Sequence, residues 1–368
     1  YGANARGKTN ILEAIYIMST SRSHRGSKEA EMIRFGQNSA KIAAKFHSHG
    51  RINKAEIDFF NDKKKRIKIN GVVADKTSQL MGYLNTVIFC PEDLKLVKGS
   101  PGIRRKMLDF GICQLRQKYF HSLSSYYKVL EQRNKLLRDN PESEMLWVWD
   151  EKLVECGTDI IWYRNSFIER LNEKIKKIIK EICEEDIDLL YDCGFEIEDF
   201  KNKEIIKSSF EKELKKILLR EKRFGMSLVG PHRDDFKILL NGKEAKLYAS
   251  QGQQRTIALA IKMSEVELIK DDMGETPVLL LDDVLSELDV NRREYVLNKI
   301  KDIQVIITCT EKDLFGNIPD VNLINVEDIK PNPYQTRRNY NHLKLNSLAS
   351  SIKEVGILTP LLLRTTTL

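Results

Sequence analysis

The sequence predicts an α/β fold with a mixed sheet and an inserted helical lobe. Three observations support this prediction. A glycine-rich loop at residues 2–9 runs directly into a helical pattern. An apolar run at residues 276–281 ends in two aspartates, as a buried parallel strand would. Between them, about residues 102–222 are helical in pattern and rich in Lys and Glu, so we expect this stretch to be inserted between two halves of one site.

The first loop has the residues of a phosphate-binding site. It reads Gly-Ala-Asn-Ala-Arg-Gly-Lys-Thr. Its two glycines let the backbone turn so that successive N–H groups point at phosphate oxygens. Lys8 is expected to reach the β- and γ-phosphates, and the Thr9 hydroxyl to bind Mg²⁺. An ordinary glycine-rich turn is the alternative. The candidate ATP-binding residues are Gly2, Asn4, Gly7, Lys8, Thr9 and Asn10.

The apolar run supplies the second half of the predicted site. Asp282 would hold Mg²⁺ at the carboxyl end of the strand, and Asp283 would polarise the attacking water. Taken alone, an Asp-Asp pair after a strand is also typical of a turn or a helix cap. Together with the first loop, the pair predicts a magnesium–nucleotide site, with Lys8, Asp282 and Asp283 as its catalytic residues.

A third element precedes this strand. The string Ser-Gln-Gly-Gln-Gln at residues 250–254 leads into an apolar helical run. Ser250 is a good N-cap, and Gly252 allows a close backbone approach. The string is therefore either a plain capped helix or a signature loop. A signature loop would use Ser250, Gly252 and Gln253 to complete the nucleotide site of a second subunit.

Length and composition limit the remaining possibilities. A chain of 368 residues suggests two or three domains. The net charge of +8 favours polyanionic partners. Runs of apolar residues are too short for a membrane span, and no signal peptide is visible, which favours the cytoplasm. The six cysteines form no Cys-x-x-Cys pair, so we expect reduced thiols and no zinc.

Two stretches have clear secondary-structure patterns. Alternating polar and apolar residues predict strands at Lys41–Phe46, Lys54–Phe60 and Arg66–Ile69, with a hairpin turn at Asn70-Gly71. These strands suit an antiparallel sheet beside the parallel one. Apolar residues at steps of three and four predict one long helix over residues 146–183.

The order of these motifs resembles the ABC-type ATPase heads of the structural-maintenance-of-chromosomes class. More narrowly, the chain resembles the RecF family of recombination and gap-repair proteins over about residues 1–316. Four strings carry the resemblance: Leu-Leu-Asp-Asp-Val-Leu-Ser-Glu-Leu-Asp (280–289), Phe-Cys-Pro-Glu-Asp-Leu-Lys-Leu-Val-Lys-Gly-Ser-Pro (89–101), Lys-Val-Leu-Glu-Gln-Arg-Asn (128–134) and Ser-Leu-Val-Gly-Pro-His-Arg-Asp-Asp-Phe (227–236).

The resemblance implies a function. It implies an Mg²⁺-dependent ATPase that binds double-stranded and gapped DNA, works with the RecO and RecR mediators and associates with the nucleoid. ATP would join two heads into a homodimer, with Asp289 in the loop bridging the subunits. Transporter-type ATPases usually carry Glu in place of Asp283 and His at the switch position, here Thr308 or Thr310. These differences predict slow, switch-like hydrolysis.

Clusters of basic residues are candidates for DNA contact. Two of these clusters contain Lys63, Lys64, Lys65, Arg104 and Arg105, and a third lies at residues 215–223. Contact with DNA phosphates requires positive charge at a suitable spacing and does not depend on the DNA sequence. A solvated charged face is the alternative for each cluster.

The two ends of the chain differ from the RecF pattern. A phosphate-binding loop normally follows a strand, and the sequence contains no such strand before residue 2. We therefore expect the chain to be truncated at its N-terminus. Residues 322–368 resemble the start of a ParB/Noc-type partition protein, without its Gly-Glu-Arg-Arg nucleotide motif, and we expect no CTP activity there. An artificial junction is the favoured origin and a natural fusion the second; such a chimera could be inactive.

The expected domains follow from these boundaries. Residues 1–90 and 224–317 would form the ATPase head, 91–223 the helical lobe and 318–368 the ParB-like fragment. Two other functions stay open: a transporter-type ATPase subunit, and a non-enzymatic partition or nucleoid adaptor that depends on the C-terminal fragment.

Overall fold

A computed structural model describes residues 1–3, 6–310 and 322–328. The helices are α1 (Lys8–Thr20), α2 (Lys95–Lys98), α3 (Pro101–Leu115), α4 (Gln117–Asp139), α5 (Leu146–Ile182), α6 (Lys203–Phe224), α7 (Ala245–Tyr248), α8 (Gln251–Met273) and α9 (Val290–Lys299). The strands are β1 (Ser39–Ser48), β2 (Arg51–Phe60), β3 (Arg66–Ile69), β4 (Val72–Ala74), β5 (Thr86–Phe89), β6 (Ile187–Asp192), β7 (Asp235–Leu240), β8 (Lys243–Glu244), β9 (Val278–Asp282) and β10 (Val305–Thr308).

The chain divides into two compact units. The first unit is Tyr1–Pro91 with Glu275–Leu368, and the second unit is Glu92–Gly274. The sequence placed the second boundary earlier, at residue 223. Residues 224–274 group with the second unit because β7 pairs along its length with β6, and because α8 packs against α5.

A parallel sheet in the first unit holds the predicted acidic strand. Its order is β10-β9-β5, so β9 lies at the centre. The side chains of Leu279, Leu280 and Leu281 are almost fully buried. A central strand covered on both faces requires such a continuous apolar run, and the prediction of a buried parallel strand ending at Asp282 is confirmed.

A four-stranded antiparallel sheet lies in the same unit. It runs β1-β2-β3-β4 in chain order. The first three strands contain the three expected ones, and β4 follows the expected hairpin turn as an additional strand. Asn70 and Gly71 both have positive φ, at 51° and 87°, which a two-residue hairpin turn of this kind requires. The apolar inner face of the sheet, including Ile57 and Phe59, packs with Ile17 and Met18 of α1 to form a core.

The second unit is built around α5. This helix has 37 residues, which corresponds to roughly 55 Å at 1.5 Å per residue. Its bounds agree with the predicted helix to within one residue. It contacts α4, α6, α8 and β6. The unit also contains an antiparallel sheet, β6-β7-β8, which the sequence analysis did not predict. Among the described residues, no helix is both long and apolar enough to cross a membrane.

Candidate functional site: a phosphate loop beside an acidic strand end

The predicted phosphate loop ends where α1 begins. Gly7 is the N-cap of α1 and has φ 88°, a conformation that glycine adopts without strain. The Lys8 ammonium donates to the carbonyl oxygens of Gly2 and Ala3, at 2.5 and 3.0 Å. The carbonyl groups at the start of the loop therefore point at the ammonium. Asn4 lies outside the described residues, and Asn10 is buried in the first turns of α1.

Gly2 is required by close packing as well as by its backbone. Its φ is +149°, and a Cβ added to it would lie 2.6 Å from Val326 Cγ1. Val326 belongs to a short segment that pairs with Tyr1: the Tyr1 nitrogen donates to Ile324 O, and the Val326 nitrogen donates to Tyr1 O, each at 2.8 Å. This neighbour of the loop was not expected from the sequence.

The loop and the acidic strand end meet. Thr9 Oγ1 donates to Asp282 Oδ1 at 3.0 Å, although the two residues are 273 positions apart in the chain. Thr308, directly opposite Asp282 in the parallel register of β10 and β9, donates to the same oxygen at 2.6 Å. The structure thus brings together three of the predicted site residues on three different elements.

Asp283 and the residues after it leave the sheet in a tight turn. Asp283 has φ 53°, which is uncommon for a non-glycine residue, and Ser286 Oγ donates to its carbonyl oxygen at 2.7 Å. Asp289 is the N-cap of α9 and accepts from the Arg292 nitrogen at 3.0 Å. Thr310 is exposed. Burial raises the pKa of the Cys309 thiol beside the site, which disfavours thiolate chemistry there.

The donor set fits a magnesium ion held jointly with a nucleotide. Mg²⁺ prefers oxygen ligands and is usually bound by one or two side chains together with phosphates and waters. Thr9 and Asp282 supply such oxygens at one point. Within the part of the chain that the structure describes, no cluster of three His, Cys, Asp or Glu side chains could hold a metal on its own.

The predicted signature residues lie in the second unit and form a complete helix cap. Ser250 Oγ accepts from the Gln253 nitrogen, and Gln253 Oε1 accepts from the Ser250 nitrogen at 2.7 Å. Gln253 also donates to Glu185 at 2.7 Å. Helix capping alone accounts for the presence of Ser250 and Gln253 at these positions. Gly252, between them, is half-buried.

Several DNA candidates need correction. The Arg104 side chain is 5% exposed and makes a bidentate pair with Asp235 at 2.7 Å. Lys65 is 13% exposed and pairs with Glu29. Arg105 is half-buried and donates to the Asp234 carbonyl. Buried, paired cations are not available to a phosphate backbone, so Arg104 and Lys65 are removed from the candidate set. Lys63 and Lys64 are exposed.

Comparison with known proteins gives family matches over both parts of the chain. The model described as "RecF/RecN/SMC N terminal domain" matches residues 1–330, beyond the boundary expected at 316. The model described as "ParB N-terminal domain" matches residues 310–367, most of which lie outside the described residues.

Curated relatives match along most of their length. The chain is 42% identical over 323 residues to the DNA replication and repair protein RecF of Acetivibrio thermocellus, covering 86% of this chain and 88% of that protein. It is 45% identical over 312 residues to RecF of Clostridium perfringens, covering 84% and 85%.

A solved structure described as the recombination mediator protein RecF-ATP in the RecFOR pathway matches with a TM-score of 0.81 and 39% identity, over 88% of this chain and 86% of that one. A second, described as RecF-ATPrS, matches with a TM-score of 0.80. Sequence, fold and the meeting of Thr9 with Asp282 agree, and the chain belongs to the RecF family of ABC-type ATPases.

Proposed function

We propose that this chain is an Mg²⁺-dependent ATPase of DNA replication and repair that uses ATP to join two copies on DNA. The contact between Thr9 and Asp282 carries the proposal, because it places a hydroxyl and a carboxylate beside the loop that ends at Gly7. The RecF relatives argue against a transporter subunit. The adaptor alternative rests on the ParB-like match at residues 310–367 alone.

Each site residue has a proposed role. The loop residues Gly2, Asn4, Gly7 and Asn10 surround the phosphates, and Lys8 exchanges its bonds to loop carbonyls for bonds to phosphate oxygens. Thr9 and Asp282 would hold Mg²⁺, which would supply electrostatic stabilisation of phosphate charge. Asp283 orients the attacking water. Its short carboxylate supports slow, switch-like hydrolysis.

The proposal is tested by measuring ATP binding with and without Mg²⁺ by calorimetry. Lys8→Ala removes a charge-assisted contact and is expected to weaken ATP about 10- to 100-fold in either condition. Asp282→Asn is expected to leave ATP affinity without Mg²⁺ nearly unchanged and to abolish the increase in ATP affinity that Mg²⁺ provides. Lys45→Ala, at an exposed position of β1, is the matched control. Equal affinity in all four proteins would reject the site.

We propose that Ser250, Gly252 and Gln253 complete the nucleotide site of a second copy and that Asp289 lies at the same junction. Light scattering after gel filtration, with ATP and Mg²⁺, tests this. Ser250→Ala loses a cap, at a cost of about 1 kcal/mol in stability, and should still dimerise. Ser250→Arg places a bulky cation at the junction and should stay monomeric. A parent that stays monomeric with ATP would contradict the dimer.

For DNA contact, the structure favours one face of α6. We define the α6 basic stripe as Lys212, Lys215, Lys216, Arg220 and Arg223, all exposed. They span roughly 16 Å of helix. Cations near a helix C-terminus also stabilise its dipole, but that effect is limited to the last turn. The helix dipole does not account for the three lysines of the stripe, which lie before the last turn of α6. We propose that the α6 basic stripe, with Lys63 and Lys64 as further candidates, contacts DNA phosphates.

Fluorescence anisotropy with duplex and gapped DNA at several salt concentrations tests the stripe. Arg220→Gln/Arg223→Gln keeps good helix formers and removes two charges. Loss of two phosphate contacts should lower the slope of log affinity against log salt by about 2. Arg104→Gln would disturb the fold, so Lys45→Gln serves as the surface control. An unchanged slope would exclude this face.

The relatives support the remaining partners in the proposal. The solved RecF structures are described as parts of the RecFOR pathway, and we propose that RecO and RecR are mediators with which this chain works, in the cytoplasm at the nucleoid. Pull-down with purified RecO and RecR, with and without gapped DNA, tests this proposal.

A further inference from the structure

Thr308 lies between the two aspartates of the site. Its side chain is buried at the end of β10. The hydroxyl donates to Asp282 Oδ1 at 2.6 Å, and the same hydroxyl oxygen accepts from the Asp283 nitrogen at 3.1 Å. One side chain from a neighbouring strand therefore contacts both carboxylate residues.

The directions of these bonds are fixed by chemistry. A backbone N–H can only donate, so the Thr308 oxygen accepts from Asp283. Its single proton is then directed to the Asp282 carboxylate, which as an anion can only accept. Thr9 donates to the same oxygen of Asp282 from α1. Two hydroxyls on different elements thus hold one carboxylate oxygen, and this fixes the rotation of the whole group.

Thr308 also holds the unusual backbone of Asp283. Its carbonyl oxygen accepts from the Asp283 nitrogen at 3.2 Å, and its hydroxyl oxygen accepts from the same nitrogen. Asp283 has φ 53° and ψ 15°, a left-handed conformation that non-glycine residues rarely adopt unless the surroundings impose it. The turn directs the chain out of β9 immediately after Asp282.

We propose that Thr308 is a positioning residue that sets the orientation of the Asp282 carboxylate and the backbone of Asp283 together. This inference rests on the proposed function, because it assigns Thr308 to the magnesium and water positions of the same site. The simpler explanation is a buried hydroxyl that satisfies its own hydrogen bonds. The two explanations differ in what removal of the hydroxyl does to metal binding and turnover.

The test uses Thr308→Val, which keeps the shape and removes the hydroxyl, and Thr308→Ser, which keeps the hydroxyl. Thr86→Val is the matched control. Thr86 is a buried threonine at the start of β5 in the same sheet, and its hydroxyl contacts the Ser19 hydroxyl. Urea unfolding of all three variants establishes that they are folded and how much stability each loses.

Mn²⁺ affinity for the protein–ATP complex, measured by electron paramagnetic resonance, is the first readout. We expect Thr308→Val to weaken Mn²⁺ about 10-fold, a change that corresponds to one carboxylate contact, while metal-free ATP affinity stays within twofold. Turnover is the second readout: kcat should fall in Thr308→Val with little change in KM. Thr308→Ser should restore both quantities, and Thr86→Val should change neither.

Unchanged Mn²⁺ affinity in Thr308→Val would overturn the inference, as would an equal loss in Thr86→Val. A failure of Thr308→Ser to restore binding would overturn it as well. Failure of the proposed function gives a different result: the parent would then bind ATP no better than Lys8→Ala.

Discussion

The candidate nucleotide site of the first unit and the region around residues 227–236 of the second unit both arise from specific sequence strings. Their charged groups nevertheless have different kinds of partner. In the site, the bonds of Lys8 go to backbone carbonyls and those of Asp282 come from hydroxyls. In the second unit, Arg164 meets the carboxylates of Asp109 and Asp234. A charged side chain whose partners are neutral can still attract a ligand of opposite charge. In an ion pair the two charges largely neutralise each other.

The buried network of the second unit joins the helices α3, α4 and α5, the strand β6 and the loop before β7. Fully buried Arg164 also donates to Tyr119 and to the Pro231 carbonyl, at 3.0 and 2.6 Å. Tyr126 bonds to His232 at 2.8 Å, and burial lowers the pKa of that imidazole to about 4. The string Gly-Pro-His-Arg-Asp-Asp is thus used mainly to fix the fold. A motif that is specific to a family can serve packing rather than chemistry.

The sharpest test of this comparison removes the central cation. Arg164→Ala leaves two buried carboxylates without their counter-charge and should lower the free energy of unfolding by about 3–5 kcal/mol. Urea denaturation measures the loss. Lys176→Ala, on the same helix and in an exposed pair with Asp188, should change it only slightly. A similar small loss in both variants would show that the network is not structural.

A second prediction concerns the glycine of the same string. Gly230 has φ +118°, and a Cβ there would lie 2.5 Å from Tyr126 Oη and 2.8 Å from Phe210 Cζ. Gly230→Ala combines backbone strain with overpacking, and we expect a loss of about 2–4 kcal/mol. Gly102→Ala in α3, where the nearest atom is 3.7 Å away, should be neutral or slightly stabilising. If ATP affinity fell in Gly230→Ala by more than partial unfolding explains, the second region would also serve nucleotide binding, which contradicts a purely structural role.

The smallest expected effect is a dependence on pH. Burial raises the pKa of the Asp234 carboxyl to about 6, against the pull of Arg164 toward the charged form. Arg164 of α5, Tyr191 of β6, Tyr126 of α4 and Arg105 of α3 face this group. Between about pH 4 and 6 the folded chain holds a proton that the unfolded chain releases, so its contribution to stability rises as pH falls.

Asparagine cannot titrate, so the parent should gain stability relative to Asp234→Asn by about 1–3 kcal/mol as pH falls from 7 to 5. Asp188→Asn is the control. The hydrogen bond from Lys176 lowers the pKa of Asp188, and its contribution is lost only below about pH 4. A flat difference for Asp234→Asn over this range would mean that Asp234 is ionised throughout.

Much of the site was predictable because its chemistry dictates residue types. A phosphate loop needs Gly7 and Lys8, and a magnesium site needs Asp282 at a strand end, so the pairing of the two strings implied contact across the chain. The hairpin at Asn70-Gly71 followed in the same way from a turn that requires positive φ at both residues.

Other features depend on partners that a local reading cannot identify. Arg104 looked like a surface cation because its partner, Asp235, is 131 residues away. The strand β6 was missed because it borders a long helical stretch and pairs with β7 far along the chain. The dual contact of Thr308 follows from the register of β10 on β9, and its residue type alone suggested only a switch position.

The distance in sequence between Thr9 and Asp282 has a consequence during synthesis. A ribosome adds residues from the N-terminus at about 5–20 each second, so all of Glu92–Gly274 is made, and leaves the ribosome, ahead of β9. We expect the second unit to fold cotranslationally around α5, while the phosphate loop waits with an unfinished sheet. A nascent chain would therefore become able to bind nucleotide only after β9 and β10 have left the exit tunnel.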